Sequence, residues 1–259
     1  MITTRRLLGA ALMLVLAIPA AAQRPPAAAQ RKPTAAPGIP RGFIALNAGV
    51  QTGSSVTDQF VFTANAEAGS IEARYPSHAT LLLDAGAGYR FWGRVGVAAA
   101  FSRSQRDGAA SVRAEVPHPF LFDQDRVVEG EAPDLSRSEN AAHLQLFYEM
   151  RPRGKWRARV FAGPSYVTVE QELVREVTVN ESYPFDSATF RSALTGTADG
   201  SAVGFNLGAD LTWMLGRRAG AGVLLRYVHA GIDLDAPESR SVSIDGGGLQ
   251  AGVGLRFAF

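Results

Sequence analysis

The last eleven residues of the chain, 249–259, alternate between apolar side chains and small or polar ones. The apolar positions are Leu249, Ala251, Val253, Leu255, Phe257 and Phe259, and between them lie Gln250, Gly252, Gly254, Arg256 and Ala258. A period of two is that of a β-strand, whose successive side chains point to opposite faces. In a soluble sandwich the apolar face packs on other side chains, whereas in an outer-membrane barrel it faces lipid and the polar face lines the lumen.

The start of the chain favours the membrane alternative. Residues 1–22 have the pattern of a secretory signal peptide, with Arg5 and Arg6 before an apolar stretch and a small-residue cleavage site at 20–22. Residues 23–41 are rich in Pro, Ala and Arg, which predicts a periplasmic N-terminal extension without a core. Residues 42–259 remain, and this length suits one domain. The chain contains no cysteine, so this domain cannot depend on disulfides.

Eight segments of the remaining chain alternate in the same way. They span about residues 42–53, 79–91, 94–103, 140–151, 156–169, 202–215, 220–231 and 247–259. Three connections are tight and the others are long, which is typical of periplasmic turns and extracellular loops. Two further stretches, 59–64 and 70–75, would make ten strands if they crossed the membrane. At about six residues each they are shorter than the roughly 9–11 that a membrane strand needs.

Aromatic residues mark the end of the barrel that carries the tight connections. All three tryptophans, Trp92, Trp156 and Trp213, lie beside these connections. Tryptophan is enriched where a barrel crosses the membrane interface. We therefore expect a periplasmic aromatic girdle at these positions.

The acidic residues are sorted along the chain. Of the 24 Asp and Glu residues, only Asp84, Glu149 and Asp210 fall within the predicted strands away from their loop ends. All three have the parity of inward side chains, and the tight connections carry Arg and Lys instead. A carboxylate facing hydrocarbon costs free energy, so this distribution indicates strands that pass through lipid.

Taken together, the signal peptide, the alternating strands and the terminal Phe257-Ala258-Phe259 resemble the small outer-membrane β-barrel family of Gram-negative bacteria. This family includes OmpX and the transmembrane domain of OmpA. The resemblance covers about residues 41–259 and implies an all-β fold, an eight-stranded antiparallel up-and-down transmembrane β-barrel. It also implies that the barrel-assembly machinery reads the last strand, a role that falls on Phe259 and Phe257. The likeness is architectural, and only the terminal strand works as a motif.

An eight-stranded barrel encloses a space that side chains fill. We expect a lumen charge network of six residues: Asp84, Glu149, Arg157, Asp210, Arg226 and Arg256. Hairpins centred on Arg218 and Arg153 would place Asp210 opposite Arg226 and Glu149 opposite Arg157. These charges predict a plugged lumen, and the alternative is a narrow ion or water path gated by Asp210 and Arg226.

Two of the predicted loops carry apolar clusters. The residues are Phe120, Leu121 and Phe122 in one loop and Tyr183 and Phe185 in another. Exposed aromatic side chains can contact a partner, or they can pack on one another over the barrel mouth. Loop carboxylates and loop arginines such as Arg103 predict contact with lipopolysaccharide phosphates, directly or through divalent cations. No spacing specifies a dedicated metal site.

The four histidines do not form a recognisable catalytic arrangement. They are His78, His118, His143 and His229, and none stands in a motif with a nucleophile and an orienting carboxylate. No glycine-rich phosphate loop occurs, and the mature chain is formally neutral, which does not predict nucleic-acid binding. We expect a non-enzymatic outer-membrane protein without a cofactor, in a structural or surface-interaction role. The alternatives are a porin-like channel, a lipid-modifying or proteolytic barrel enzyme, and a soluble periplasmic lipid-binding barrel.

Overall fold

The structure is a computed structural model that describes residues 40–236 and 240–259. The predicted signal peptide and residues 23–39 of the predicted extension lie outside the described residues. Across the described ranges, no helix is long and apolar enough to cross a membrane. The strands are β1 Gly42–Gln51, β2 Val56–Ala64, β3 Glu67–Tyr75, β4 Thr80–Trp92, β5 Val95–Pro117, β6 Asp125–Glu149, β7 Trp156–Glu181, β8 Ala188–Met214, β9 Ala219–Ala236 and β10 Arg240–Ala258.

Eight strands form a closed antiparallel ring in the order β1, β4, β5, β6, β7, β8, β9, β10. β10 closes the ring on β1, with Phe43 opposite Ala258 and Gln51 opposite Gln250. The predicted eight-stranded up-and-down barrel is therefore confirmed. The stretches 59–64 and 70–75 belong to β2 and β3, which are nine residues long and form a hairpin outside the ring. β3 pairs with β5 beyond the end of β4.

Glycine lets β1 and β10 approach each other closely where they close the ring. A Cβ atom at Gly254 would overlap the carbonyl oxygen of Leu46, and one at Gly49 would overlap that of Ala251. The small inward residues of the alternating pattern thus permit the close packing and curvature of a narrow barrel.

The half of the barrel next to the short connections, here called the membrane half, is apolar outside and polar inside. On β9, for example, Leu225 points outward and is 49% exposed, whereas the adjacent Arg226 points inward and is 1% exposed. An apolar band around the whole ring would be unfavourable in water and is the surface that a bilayer requires. The membrane half therefore spans the bilayer, with the short connections at what we call the turn end.

Strands β5 to β8 are 23 to 27 residues long and continue well beyond the membrane half. In this outer half the polarity is reversed. On β9 the outward residues are Asp233 and Asp235, whereas the inward Ile232 and Leu234 are buried. The reversal indicates that water replaces lipid around the outer half, because the apolar side chains now pack inside. The long connections predicted from the sequence are thus mostly strand.

The ring divides into two sheets in the outer half. Pairing of β6 with β7 ends at Arg137 and Gln171, and pairing of β1 with β10 ends near Thr52 and Leu249. Beyond these points the first sheet contains β2, β3, β5 and β6, and the second contains β7, β8, β9 and β10. Buried apolar side chains of both sheets fill the space between them: Val56, Ile71, Val112, Val128, Leu135, Leu173, Val174, Ile232, Leu234, Val242 and Ile244.

Candidate functional sites in the lumen and at the tip

The middle of the membrane half holds a buried ion pair between Asp84 on β4 and Arg226 on β9. Arg226 Nη2 donates to Asp84 Oδ2 at 2.8 Å, and Arg226 Nε donates to Gln250 Oε1 at 2.6 Å. Asn47 Nδ2 donates to Asp84 Oδ1 at 2.7 Å. Because β1 and β10 lie between β4 and β9 in the ring, this pair spans the lumen and links strands that are not neighbours.

A second buried group of charges is centred on Asp210 of β8. Its carboxylate accepts hydrogen bonds from Arg159 Nη2 on β7 and Arg256 Nε on β10, each at 2.8 Å. The Thr212 hydroxyl donates to the same carboxylate at 2.9 Å. One carboxylate is therefore shared by two guanidinium groups from different strands, and this group of three side chains keeps a net positive charge.

The predicted pairing of Asp210 with Arg226 is wrong. The hairpin between β8 and β9 is centred on Arg217, one residue earlier than predicted, so Asp210 lies opposite Leu224. Moving the centre of a hairpin by one residue moves the opposite residue by two, which keeps its side chain inward but changes its identity.

The predicted pairing of Glu149 with Arg157 is also wrong. The hairpin between β6 and β7 is centred on Gly154, and Glu149 lies opposite Arg159. The Glu149 carboxylate accepts instead from Arg90 Nη1 at 3.1 Å, across β5. Arg157 is half-buried, lines a cavity at the turn end, and has no ion pair among the residues that the structure describes.

An apolar cluster narrows the lumen beside the Asp210 group. Its members are Phe43, Ala98, Phe147, Phe161 and Leu224. The rings of Phe43 and Phe147 meet edge to face at 5.5 Å, and the Arg159 guanidinium lies 3.5 Å from the centre of the Phe43 ring. Two cavities of about 40 Å³ and about 30 Å³ border these three residues. Such volumes hold a few water molecules at most.

His143 is buried higher in the membrane half, between two hydroxyl groups. Its Nε2 lies 3.0 Å from Ser102 Oγ and its Nδ1 lies 2.7 Å from Ser165 Oγ. Asn206 Nδ2 donates to Ser165 Oγ at 2.8 Å. Both ring nitrogens of the buried His143 therefore have hydrogen-bond partners. No group of three or more His, Cys, Asp or Glu side chains within 40–236 and 240–259 could hold a metal ion.

The sequence prediction missed a polar bridge at the top of the membrane half. Gln51 Nε2 donates to Glu139 Oε1 at 2.8 Å, and Arg137 Nη1 donates to Gln171 Oε1 at 3.0 Å. Arg137, Glu139 and Gln171 fall just outside the predicted strands 140–151 and 156–169. The positions of Arg137 and Glu139 could have been predicted from the sequence. In β6 every second residue from Glu149 back to residue 137 points inward, and the alternation is unbroken.

The predicted girdle residues lie at the turn end with their side chains outward. Trp156 and Trp213 contact each other edge to face at 4.5 Å, and Trp92 is exposed at the end of β4. Phe257 on β10 and Phe259, directly after the strand, are exposed. The Phe259 backbone is tied to β1, because its N–H donates to the Gly42 carbonyl at 2.9 Å and its carbonyl accepts from Gly42 N–H at 2.8 Å.

The two apolar clusters predicted on separate loops meet at the far end of the barrel. Phe120, between β5 and β6, packs edge to face on Phe185, between β7 and β8, at 5.5 Å. Tyr183 lies 6.2 Å from Phe185 and is 85% exposed, and Phe122 is 74% exposed. We call these residues, together with Leu121, the aromatic tip. Phe185 packs on both Phe120 and Tyr183, and the tip still presents apolar surface to solvent.

Two buried side chains hold the aromatic tip in place. His118 Nδ1 accepts hydrogen bonds from the backbone N–H groups of Phe120 and Leu121, each at 3.1 Å. Arg126 donates to the carbonyl of Pro117 at 2.9 Å and to that of Phe185 at 3.2 Å, and it also pairs with Glu181. Arg126 therefore ties the first loop to the second.

No protein-family model and no curated protein matches the chain. The chain is similar to OprG from Pseudomonas aeruginosa, with a TM-score of 0.46, 13% identity, and coverage of 86% of this chain and 98% of that one. It is also similar to Neisserial surface protein A, with a TM-score of 0.46, 10% identity, and coverage of 84% and 97%. For the outer membrane protease OmpT from Escherichia coli the values are 0.47, 10%, 85% and 97%. These likenesses are of fold.

Proposed function

We propose that this chain is an outer-membrane barrel with a closed lumen that serves in surface interaction through its aromatic tip. The observation that carries the proposal is the filled interior. Ion pairs and an apolar cluster occupy the membrane half, and a packed apolar core occupies the outer half. Because the barrel is closed along its length, we assign its function to the exposed surfaces, which can bind a partner.

The orientation follows from the two ends. The basic tight connections and the tryptophans face the periplasm, and the outer half with the aromatic tip extends outside the cell. Exposed carboxylates of Asp123, Asp125 and Asp186 surround the tip. Partners with apolar or cationic surfaces therefore suit it better than polyanions do. Lipopolysaccharide phosphates are proposed partners of Arg103, which is exposed on β5 near the outer edge of the apolar band.

A non-enzymatic role is part of the proposal. His143 contacts only hydroxyl groups in the hydrogen bonds described above, and no carboxylate within 40–236 or 240–259 orients it. A hydrolytic histidine needs access to substrate and an orienting partner, and His143 is 2% exposed.

Surface labelling tests the orientation and the exposure of the aromatic tip. Because the chain has no cysteine, single substitutions can be labelled with a membrane-impermeant maleimide in intact Gram-negative cells. Tyr183→Cys should react in intact cells, whereas Arg217→Cys at the turn end should react only after the outer membrane is permeabilised. The reverse pattern, or equal labelling of both, contradicts the proposal.

The same experiment checks the assembly role of the last residue. Deleting Phe259 from the Tyr183→Cys chain should remove most of the surface signal while the exported chain remains in the periplasm. Full labelling without Phe259 would show that assembly does not depend on it.

Planar-bilayer recordings test closure of the lumen. The purified wild-type protein should give no steady single-channel currents, because side chains fill the membrane half. Steady currents that change in Asp210→Ala but persist unaltered in the exposed control Asp199→Ala would support the narrow channel instead.

A further inference from the structure

The edge of β2 that faces away from β3 has no strand partner among the residues that the structure describes. Among the described strands, β2 pairs only with β3, and β10 beyond Leu249 pairs only with β9. Two glycines, Gly247 and Gly248, take positive φ angles of 94° and 122° where β10 turns away from β1. A seam therefore begins there and separates β2 from the outer part of β10.

The register shows which backbone groups face this seam. Ala64 and Glu67 flank a two-residue turn whose residues, Asn65 and Ala66, have φ angles of 52° and 66°. In such a hairpin the residue pair that flanks the turn is hydrogen-bonded. Going away from the turn, the next pair is not hydrogen-bonded, and the two kinds of pair then alternate along the strands. The N–H and C=O groups of alternate β2 residues consequently point to the open edge: Thr57, Gln59, Val61 and Thr63.

The β2 edge lacks the proline and the positive-φ residue that interrupt the free edge of β6, and the described bridge across its seam lies before the strand begins, where Ser54 Oγ donates to the Asp245 carbonyl at 2.9 Å. β6 has a proline at 133 and a positive φ at Asp134, and its seam with β7 is bridged by Ser136 N–H, which donates to Glu172 at 2.9 Å. β2 has the sequence VTDQFVFTA, without Lys, Arg, Pro or a bulge. Its outward Val61 is 71% exposed. A long edge of β-branched and aromatic residues without such protection pairs readily with another strand.

The charges across the seam are acidic. Asp245 is exposed on β10, and Asp233 and Asp235 are exposed on the adjacent β9. On the β2 side, the exposed Arg74 of β3 is already paired with Glu72. A strand entering the seam therefore meets a net negative flank, which favours basic outward side chains.

We propose that the open edge of β2 binds an extended basic segment of another protein by β-strand addition. Main-chain hydrogen bonds to alternate residues of β2 supply the affinity, and Lys or Arg side chains of the incoming strand face the β9 and β10 carboxylates. This surface is separate from the aromatic tip and would bind in the same way if the tip had no partner.

The test uses the full chain in detergent micelles and a fluorescent decapeptide that alternates Val with Lys. Val61→Pro removes an N–H that points to the open edge, and it breaks no β2–β3 hydrogen bond and touches no core side chain. Val61→Thr is the matched control because it keeps that N–H. Fluorescence anisotropy should show saturable binding to the wild type and to Val61→Thr, and at least about tenfold weaker binding to Val61→Pro.

Two further measurements identify the mode of binding. On addition of the peptide, amide hydrogen exchange should slow at residues 57, 59, 61 and 63. A peptide of the same composition with its Lys and Val residues in two blocks should bind weakly. No saturable binding, equal binding to Val61→Pro, or equal binding of the block peptide overturns the proposal. Dimers without peptide that Val61→Pro abolishes would assign the edge to a second copy and overturn it as well.

Discussion

Replacing Asp210 with alanine should lower the free energy of unfolding of the barrel by about 3–5 kcal/mol. The Asp210 carboxylate accepts hydrogen bonds from the buried guanidinium groups of Arg159 and Arg256, each at 2.8 Å. The substitution leaves two like charges unpaired in a lumen with little room for water. Because the lost carboxylate served both arginines, the effect should exceed that of breaking an exposed ion pair.

The measurement is reversible urea unfolding in lipid vesicles, followed by the fluorescence of the tryptophans. Asp199→Ala is the control, because Asp199 lies on the same strand with its side chain exposed outside the apolar core. It should change the free energy of unfolding by less than about 0.5 kcal/mol. A loss below about 1 kcal/mol for Asp210→Ala would mean that water or rearranged partners compensate both arginines, and that the lumen is more open than its packing indicates.

Asp210 shows why the sequence predicts the ring of strands but not the ion pairs inside it. Alternation and tight turns are local signals, so they locate each membrane strand and its inward face. The partner of an inward charge depends on the hairpin centre to within one residue. The Asp84 and Arg226 pair goes further, because it joins strands that are not neighbours and depends on how the ring closes.

The outer half was less predictable for a different reason. In β6 the stretch from Asp125 to Arg137 buries Val128, Ala132 and Leu135 inside, whereas its carboxylates face water. Without knowing where lipid ends, this reversal resembles a charged loop, and Pro133 strengthens that impression. The aromatic tip shows the same limit. Both of its segments were recognised as apolar, but only the three-dimensional arrangement brings Phe120 to Phe185.

The reversal of polarity leads to the second large expected effect, at Leu225 on β9. Leu225→Arg places a charge on the outer face of the membrane half and should cost about 2–4 kcal/mol of the free energy of unfolding in vesicles. Asp235→Arg is the matched control, since it also points outward on β9 but in the outer half. Water solvates a charge there, so its effect should stay within about 0.5 kcal/mol.

The inward face of β9 should show the opposite order. Arg226 is accommodated inside the membrane half by Asp84 and Gln250, whereas Leu234 is fully buried in the apolar core of the outer half. Leu234→Arg buries a charge without a partner and should cost several kcal/mol, at least as much as Leu225→Arg. Similar costs at Leu225 and Asp235 would mean that both outward faces meet the same medium, which would remove the argument that lipid surrounds only one half of the barrel.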